Sequence, residues 1–381
     1  MTVPRRSLAL AAVGLAATAL GAFLEPRRAA VALLAAHTAA VGVVLGALAM
    51  VMIGHLTGAT WFVLLRRRAE DVTATLPALA VLFVPLLLAV RVLYPWAGPA
   101  GALAPSVRAA VGAKRAYLDV PFFVVRAVAY WVTWVALAEL LRRASLRQDA
   151  APDDASARAL ARRMRVVSAA GLPALALTLT FAAFDWMMSL SPTWSSTLYG
   201  VYAFAGDGVG ALALLALAAR TSLGVEQRHA LAKLLFTFVL FWAYVAYSQY
   251  VVVWSGDLPH EVLWYVARLR GGWRALAALL VAGHFVLPAL LLLLRAVKRS
   301  AFALAAVGAW LLAMHYVDVY WLLLPELSPG RLAVHWLDAA ALALVVGVTT
   351  TAAAWRRADT PAVPARDPRL AEAAAYRAES A

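Results

Sequence analysis

Three titratable side chains fall where a bilayer is least polar. Asp207 lies in "AGDGVG", 13 residues from both Trp194 and Arg220. His284 lies 10 residues after Arg274 and 11 before Arg295, and His37 stands well inside the apolar run Ala29–Ile53. Ionisable groups at that depth are rare in membrane proteins because an uncompensated charge is costly there. They are candidate proton carriers or ligand contacts, and their alternative role is a hydrogen-bonded contact between helices. Gly206, Gly208 and Gly210 around Asp207 allow helices to approach closely, and Pro288, one turn after His284, frees a backbone carbonyl. Two histidines at one depth on facing helices are also the minimum axial set for a b-type haem, which His37 and His284 would supply if they faced one another.

A second group lies at the outer edge of the apolar layer. Asp185 follows Arg165 by 20 residues, about 30 Å along a helix that rises 1.5 Å per residue. Asp318 follows Arg299 by 19 residues and Gln249 follows Lys233 by 16, so both are close to the same face. Asp119, His315, His335 and Asp338 complete the collection, surrounded by Trp and Tyr residues that suit an interfacial aromatic belt. Asp185 and Asp318 both follow aromatic residues near a helix end and precede Trp. Carboxylates so close to apolar runs should face the interior and pair. Arg126, inside the apolar segment Leu118–Leu141, is the cationic candidate.

The elements that must position these residues follow from composition. The chain has 381 residues, 64% hydrophobic and 14% charged, with a mean hydropathy of +0.79. A soluble domain is about one quarter charged, so this is an all-α polytopic membrane protein. The ruler of about 20 apolar residues per crossing marks ten spans. They run roughly Ser7–Leu24, Ala29–Ile53, Thr75–Tyr94, Leu118–Leu141, Val166–Leu190, Ser196–Ala219, Leu231–Trp254, Trp273–Leu294, Ser300–Leu324 and Leu332–Trp355. The first run is long for a signal peptide and is read as a retained helix. Gly54–Leu65 reads as an interfacial segment or a tilted extension of the second span.

Of the 34 Lys and Arg residues, 23 fall on the side of the N-terminus, 10 on the other, and Arg126 within a span. That asymmetry places both termini in the cytoplasm. The arginines sit at the ends of apolar runs as topology signals, so the net charge of +14 does not indicate nucleic-acid binding. With no cysteine, the chain holds no disulfide, Cys-ligated iron–sulfur cluster, thiolate zinc site or covalent c-type haem of its own. Phosphate loops, nucleophile elbows and HExxH motifs are missing as well. Residues 142–163 read as a basic cytoplasmic loop, 95–117 as an outer loop, and 356–381 as a disordered cytoplasmic tail. The transmembrane domain is residues 1–355. No convincing internal repeat is visible.

Four segments carry a resemblance: "FDWMMSLSPTWSSTLYGVYAFAG" (184–206), "FWAYVAYSQYVVVWSGDLPHEVLWY" (241–265), "HFVLPALLLLLRAVKR" (284–299) and "HYVDVYWLLLP" (315–325). "YLDVPFFVVRAVAYW" (117–131) fits more loosely. Together they resemble the F subunit of bacterial alternative complex III, a quinol:cytochrome c (or other periplasmic acceptor) oxidoreductase of the respiratory chain. That subunit belongs to the NrfD/polysulfide-reductase-like membrane proteins. The resemblance implies ten helices, with the middle eight forming two four-helix bundles. It implies a multi-pass subunit of the bacterial inner membrane with no redox cofactor of its own. It also implies a homologous C-type partner, partners bearing haem c and iron–sulfur clusters, and quinol or quinone nearby. The chain departs from the pattern at "SLSPTW", where an acid is expected near Ser191. A proton route through Asp207 is read from the residues and not from the resemblance.

Three functions suit these features. The first is a membrane subunit of a quinol-oxidising complex, with a proton pathway drawn from Asp207, His284, His37, Asp185, Asp318, His315, Gln249 and Arg126. The second is a proton-coupled secondary transporter, against which stands the lack of matched broken helices in two halves. The third is a structural subunit that supplies only bundle surface.

Overall fold

The computed structural model describes residues 5–328, 330–358 and 360–377. Apolar segments crossing lipid must satisfy their backbone polar groups internally, which leaves the helix as the solution here. Among the described residues there are ten helices long and apolar enough to cross a membrane. They are α1 (Arg5–Leu24), α2 (Pro26–Thr57), α3 (Thr60–Leu88, with a break at Ala74–Thr75), α4 (Val120–Asp149) and α5 (Asp154–Trp186). The second five are α6 (Tyr199–Ala218), α7 (Val225–Gly256), α8 (Gly272–Leu293), α9 (Ala301–Leu323) and α10 (Trp336–Arg357). The protein is therefore an all-helical, multi-pass membrane protein.

Helices α2 to α5 close into one four-helix bundle and α6 to α9 into a second. The bundles meet where α2 packs along α6, with further contacts from α5 to α6 and from α2 to α9. Of the ten helices, α2 and α6 are the most enclosed. Helices α1 and α10 pair with each other and flank the first bundle against α2 and α3. Thr351 Oγ1 donates to Ser7 Oγ at 3.0 Å, which places the start of α1 beside the end of α10. That arginine-rich side of the molecule is its basic end, and the opposite side its aromatic end.

Small residues set the seam between the bundles. A Cβ on Gly46 of α2 would lie 2.4 Å from the Asp207 carbonyl oxygen of α6, and one on Gly42 would lie 1.9 Å from Asp207 Oδ1. At Gly46 the two helices touch backbone to backbone, and only glycine leaves the room.

Three segments differ from their expected form, all at the basic end. Gly54–Leu65 is neither interfacial segment nor simple extension. Helix α2 ends at Thr57, Gly58 turns the chain with φ +67°, and α3 has begun by Thr60. Arg66–Arg68 thus lie inside a helix. The expected loop 142–163 shrinks to a short turn, because α4 continues to Asp149 and α5 starts at Asp154 behind an Asp153 cap. Residues 360–377, expected to be disordered, dock against the basic end. Arg66 Nη1 donates to Asp367 Oδ2 at 2.5 Å, and Gln227 Nε2 to the Ala373 carbonyl at 2.9 Å. The rest of the expected tail, Asp359 and residues 378–381, lies outside the described residues.

One physical cause underlies all three. Charged residues extend these helices past the apolar layer because they satisfy one another. Arg67 holds Glu70 at 2.8 Å and also binds Asp149; Ser145 Oγ donates to Glu70 Oε2 at 2.9 Å; Arg142 binds Asp71 at 3.1 Å. Arg67 is fully buried and Glu70 is 1% exposed, so this is an interior network and not a row of solvated topology charges.

Candidate functional site

The last turn of α5 presents Asp185 to the interior of the first bundle, 1% exposed. Arg126 of α4 meets it with both ends of its fork, Nε to Oδ2 and Nη2 to Oδ1, each at 2.8 Å. Tyr130, one turn further along α4, donates to Oδ2 at 2.8 Å. The guanidinium also sits 4.0 Å from the Tyr117 ring centroid and 4.2 Å from that of Phe122. Burial, then the Asp185 charge, pushes the Tyr117 hydroxyl upward from its ordinary pKa. A bidentate, hydrogen-bonded pair of this kind compensates both charges. Of the two carboxylates expected to seek a cation, Asp185 thus takes Arg126 and Asp318 does not.

The neighbouring loop is pinned. Ser189 Oγ donates to the Asp185 carbonyl at 2.5 Å, and Trp96 Nε1 to Ser189 Oγ at 3.2 Å. Lys114 Nζ reaches the Pro192 carbonyl at 2.9 Å, and burial lowers that amine's pKa. Below Asp185, His37 Nε2 bonds the Leu79 carbonyl at 3.0 Å, and its ring packs among Phe83, Trp131 and Trp186.

Asp318 occupies the corresponding place in the second bundle, on its fourth helix, and is held differently. Tyr202 of α6 donates to Oδ1 at 2.6 Å and Trp242 of α7 to Oδ2 at 3.0 Å. Among the described residues no ion pair reaches it, and the carboxyl is 2% exposed. Against the Trp242 indole lies the His284 imidazole, with centroids 4.1 Å apart and planes at 30°. His284 sits in a π-turn of α8, Val281–Val286, just before Pro288. Such a turn is a common mark of functional positions. Both ring nitrogens of His284 are buried without a hydrogen-bond partner.

Asp207 lies at the seam itself. Its carboxyl turns toward Gly42 of α2, and His315 Nε2 is 3.9 Å from Oδ1. His315 Nε2 also bonds the Ala39 carbonyl of α2 at 3.2 Å. No protein hydrogen bond to the Asp207 carboxyl is found among the described residues. A cavity of about 40 Å³ runs between the bundles here, lined by Asp207, His315, Asp318, Tyr202, Thr38 and Trp186. That is room for a few waters, each needing at least about 10–15 Å³ and two or more polar partners. Three of the expected residues therefore share one small cavity whose remaining lining is mostly apolar, and Trp186, next to Asp185 in the chain, is part of its wall.

A larger cavity, about 470 Å³, opens between α7 and α8 toward the aromatic end. Tyr202 and Trp242 form its inner wall, so the two groups that hold Asp318 also face this space. Gln249, 2% exposed, and Tyr265, whose hydroxyl burial pushes up to about 12, are polar points on its wall. The volume is in the range of small-molecule sites, and the lining is mostly apolar with few polar groups, as such sites are.

The remaining expected residues go elsewhere. His37 and His284 lie in separate bundles, so they do not face one another as an axial pair. Asp119 caps α4 by accepting from the Phe122 amide at 3.1 Å. His335 caps α10, while Asp338 binds Arg28 and accepts from Tyr320 at 3.0 Å. The outer collection is thus several separate contacts. Sequence reasoning does not single out Tyr130, Tyr202 and Trp242, because a belt aromatic and a carboxylate ligand look alike until the helices are packed. For Tyr130 a signal exists in the spacing, since it stands one turn after Arg126. Comparison with known proteins finds no family model and no curated protein that matches this chain.

Proposed function

We propose that the chain is a non-redox membrane subunit of a bacterial quinol-oxidising respiratory complex and carries a proton half-channel at the seam of its two bundles. The observation that carries the reading is the shared cavity of Asp207, His315 and Asp318, three titratable groups from α6 and α9 around a space sized for water. Asp207 is the innermost carrier and His315 its neighbour. Asp318, with Tyr202, leads on to the α7–α8 cavity, where Gln249 and Tyr265 offer a surface for a quinol ring. His284, stacked behind Trp242, tunes that branch. The Arg126–Asp185 pair and His37 form a second polar column in the first bundle, which fixes the charge that the half-channel sees. The basic end faces the cytoplasm, following the Lys and Arg asymmetry. Partners with haem c and iron–sulfur clusters, and a homologous C-type subunit, supply electron transfer. The four segments that resemble the alternative complex III subunit support this assignment.

The test is Asp207→Asn in the intact complex, reconstituted in vesicles and driven by quinol. The expected outcome is retained assembly and electron transfer with a proton-to-electron ratio clearly below the parent's. An unchanged ratio would sink the half-channel. Gentle purification should bring down haem-c and iron–sulfur subunits. Solute uptake by the chain alone, without such partners, would favour a transporter instead.

A further inference from the structure

A groove of about 510 Å³ opens between α9 and α10, away from the α7–α8 cavity. Its floor is the small-residue face of α2, Ala36, Ala39 and Val43, and its walls are carried by Leu312 and Val346 on either side. On α10 the lining runs from Leu342 to Arg357, about 22 Å of helix. Half of a bilayer with its headgroup layer, about 40–45 Å thick in all, is the same depth. The groove is therefore one leaflet deep. It is mostly apolar along its length and carries its charges at the basic-end rim.

The rim carries Arg68 of α3 and Arg357 of α10. Nε and Nη1 of Arg68 are buried and have no hydrogen-bond partner. Arg68 itself is half-buried, so the rest of its guanidinium reaches the open rim, while the two enclosed nitrogens with unmade hydrogen bonds carry a desolvation cost. Asp71 is the acid at this rim, and its Oδ1 is already held by Arg142 at 3.1 Å, its Oδ2 being unpartnered. Arg68 and Arg357 thus share the rim with a carboxylate already held by Arg142, and the balance calls for an anion. An anion with a chain to fill the groove satisfies both requirements at once.

We infer that this groove binds one anionic phospholipid, with its phosphate at Arg68 and Arg357 and an acyl chain lying over α2 toward Tyr316. Binding of the lipid does not rest on the proposed respiratory role. Its inner end is His315, which lines both this groove and the inter-bundle cavity.

The experiment uses the full chain in nanodiscs of equimolar phosphatidylglycerol and phosphatidylcholine, transferred to detergent for native mass spectrometry. One phosphatidylglycerol should stay bound, enriched about thirtyfold over phosphatidylcholine, the order expected from two arginines beside an anionic head. Arg68→Gln with Arg357→Gln should bring that ratio down to the bulk composition. Ala353→Trp, which fills the groove and leaves the rim charges in place, should remove the bound lipid. Equal retention of the two lipids by the parent protein overturns the inference, and that comparison needs no variant. So does inorganic phosphate alone, if it raises the melting temperature of delipidated protein as much as phosphatidylglycerol does, since the ligand is then a free anion.

Discussion

Asp185 meets a guanidinium, while its counterpart Asp318 meets a phenol and an indole. The two differ in what removal of a partner leaves behind. Arg126→Met strands a buried carboxylate, and breaking a buried pair from one side costs about 3–5 kcal/mol. Arg126→Met combined with Asp185→Leu removes both charges and should restore most of that loss. Chemical unfolding of the purified single and double variants in detergent checks the pattern; a double variant as unstable as the single one would show that the pair is held for another reason. Asp185 as a carboxylate needing a cation is legible in the sequence, because few residues can match its depth and Arg126 is the arginine within a span. The environment of Asp318 is not legible. Its donors come from α6 and α7, 116 and 76 residues away, and nothing local marks them.

At the scale of helices, α2 and α6 carry the seam, and two glycines one turn apart serve it differently. Gly46 faces backbone, so a Cβ at 2.4 Å from the Asp207 carbonyl must push the helices apart. Gly42 faces only the end of the Asp207 side chain, which can rotate away. Gly46→Ala should therefore destabilise by about 1–3 kcal/mol, as overpacking does, and Gly42→Ala by less. Gly42→Ala should instead disturb the carboxyl position and any proton transfer through it. Thermal unfolding of the two variants side by side reads the difference, and a reversed order would refute the packing described. Apolar runs announce all ten helices, since hydropathy directly reports what lipid demands. Helix ends at the basic side escape because hydropathy treats Arg66, Arg67 and Glu70 as boundary markers. In the fold they neutralise one another and the helix runs on.

The molecule as a whole is closed at its basic end by the segment 360–377. Its Ala, Pro and mixed-charge composition suggests disorder, and within the segment nothing contradicts that. The contacts that hold it lie on α3, α7 and the α4–α5 turn, through Arg66, Gln227 and the Ala151 carbonyl, which accepts from Arg366. Arg66 and Asp367 are both buried, at 3% and 5% exposure. Asp367→Ala should leave that guanidinium with only the longer Glu70 ion pair, at 3.4 Å, and loosen the segment. Limited proteolysis in detergent should cut between residues 360 and 377 markedly faster in the variant than in the parent protein, with the transmembrane part intact. Equal cutting rates would mean that the docking is held elsewhere.

The pairing of α1 with α10 also bears on how the protein is made. Ser7 and Thr351 touch across 344 residues of sequence. At a synthesis rate of about 5–20 residues per second, the first helix waits roughly 20–70 s in the membrane for its partner. During that interval its face of Ala11, Gly14, Thr18 and Gly21, buried in the finished fold, is open to lipid and to other nascent helices. A Cβ on Gly14 would lie 2.3 Å from the Leu344 backbone nitrogen, so a wrong partner of similar shape could occupy the same face. Insertion of this chain is thus a problem of timing, in which α1 is made long before the helix that covers its face.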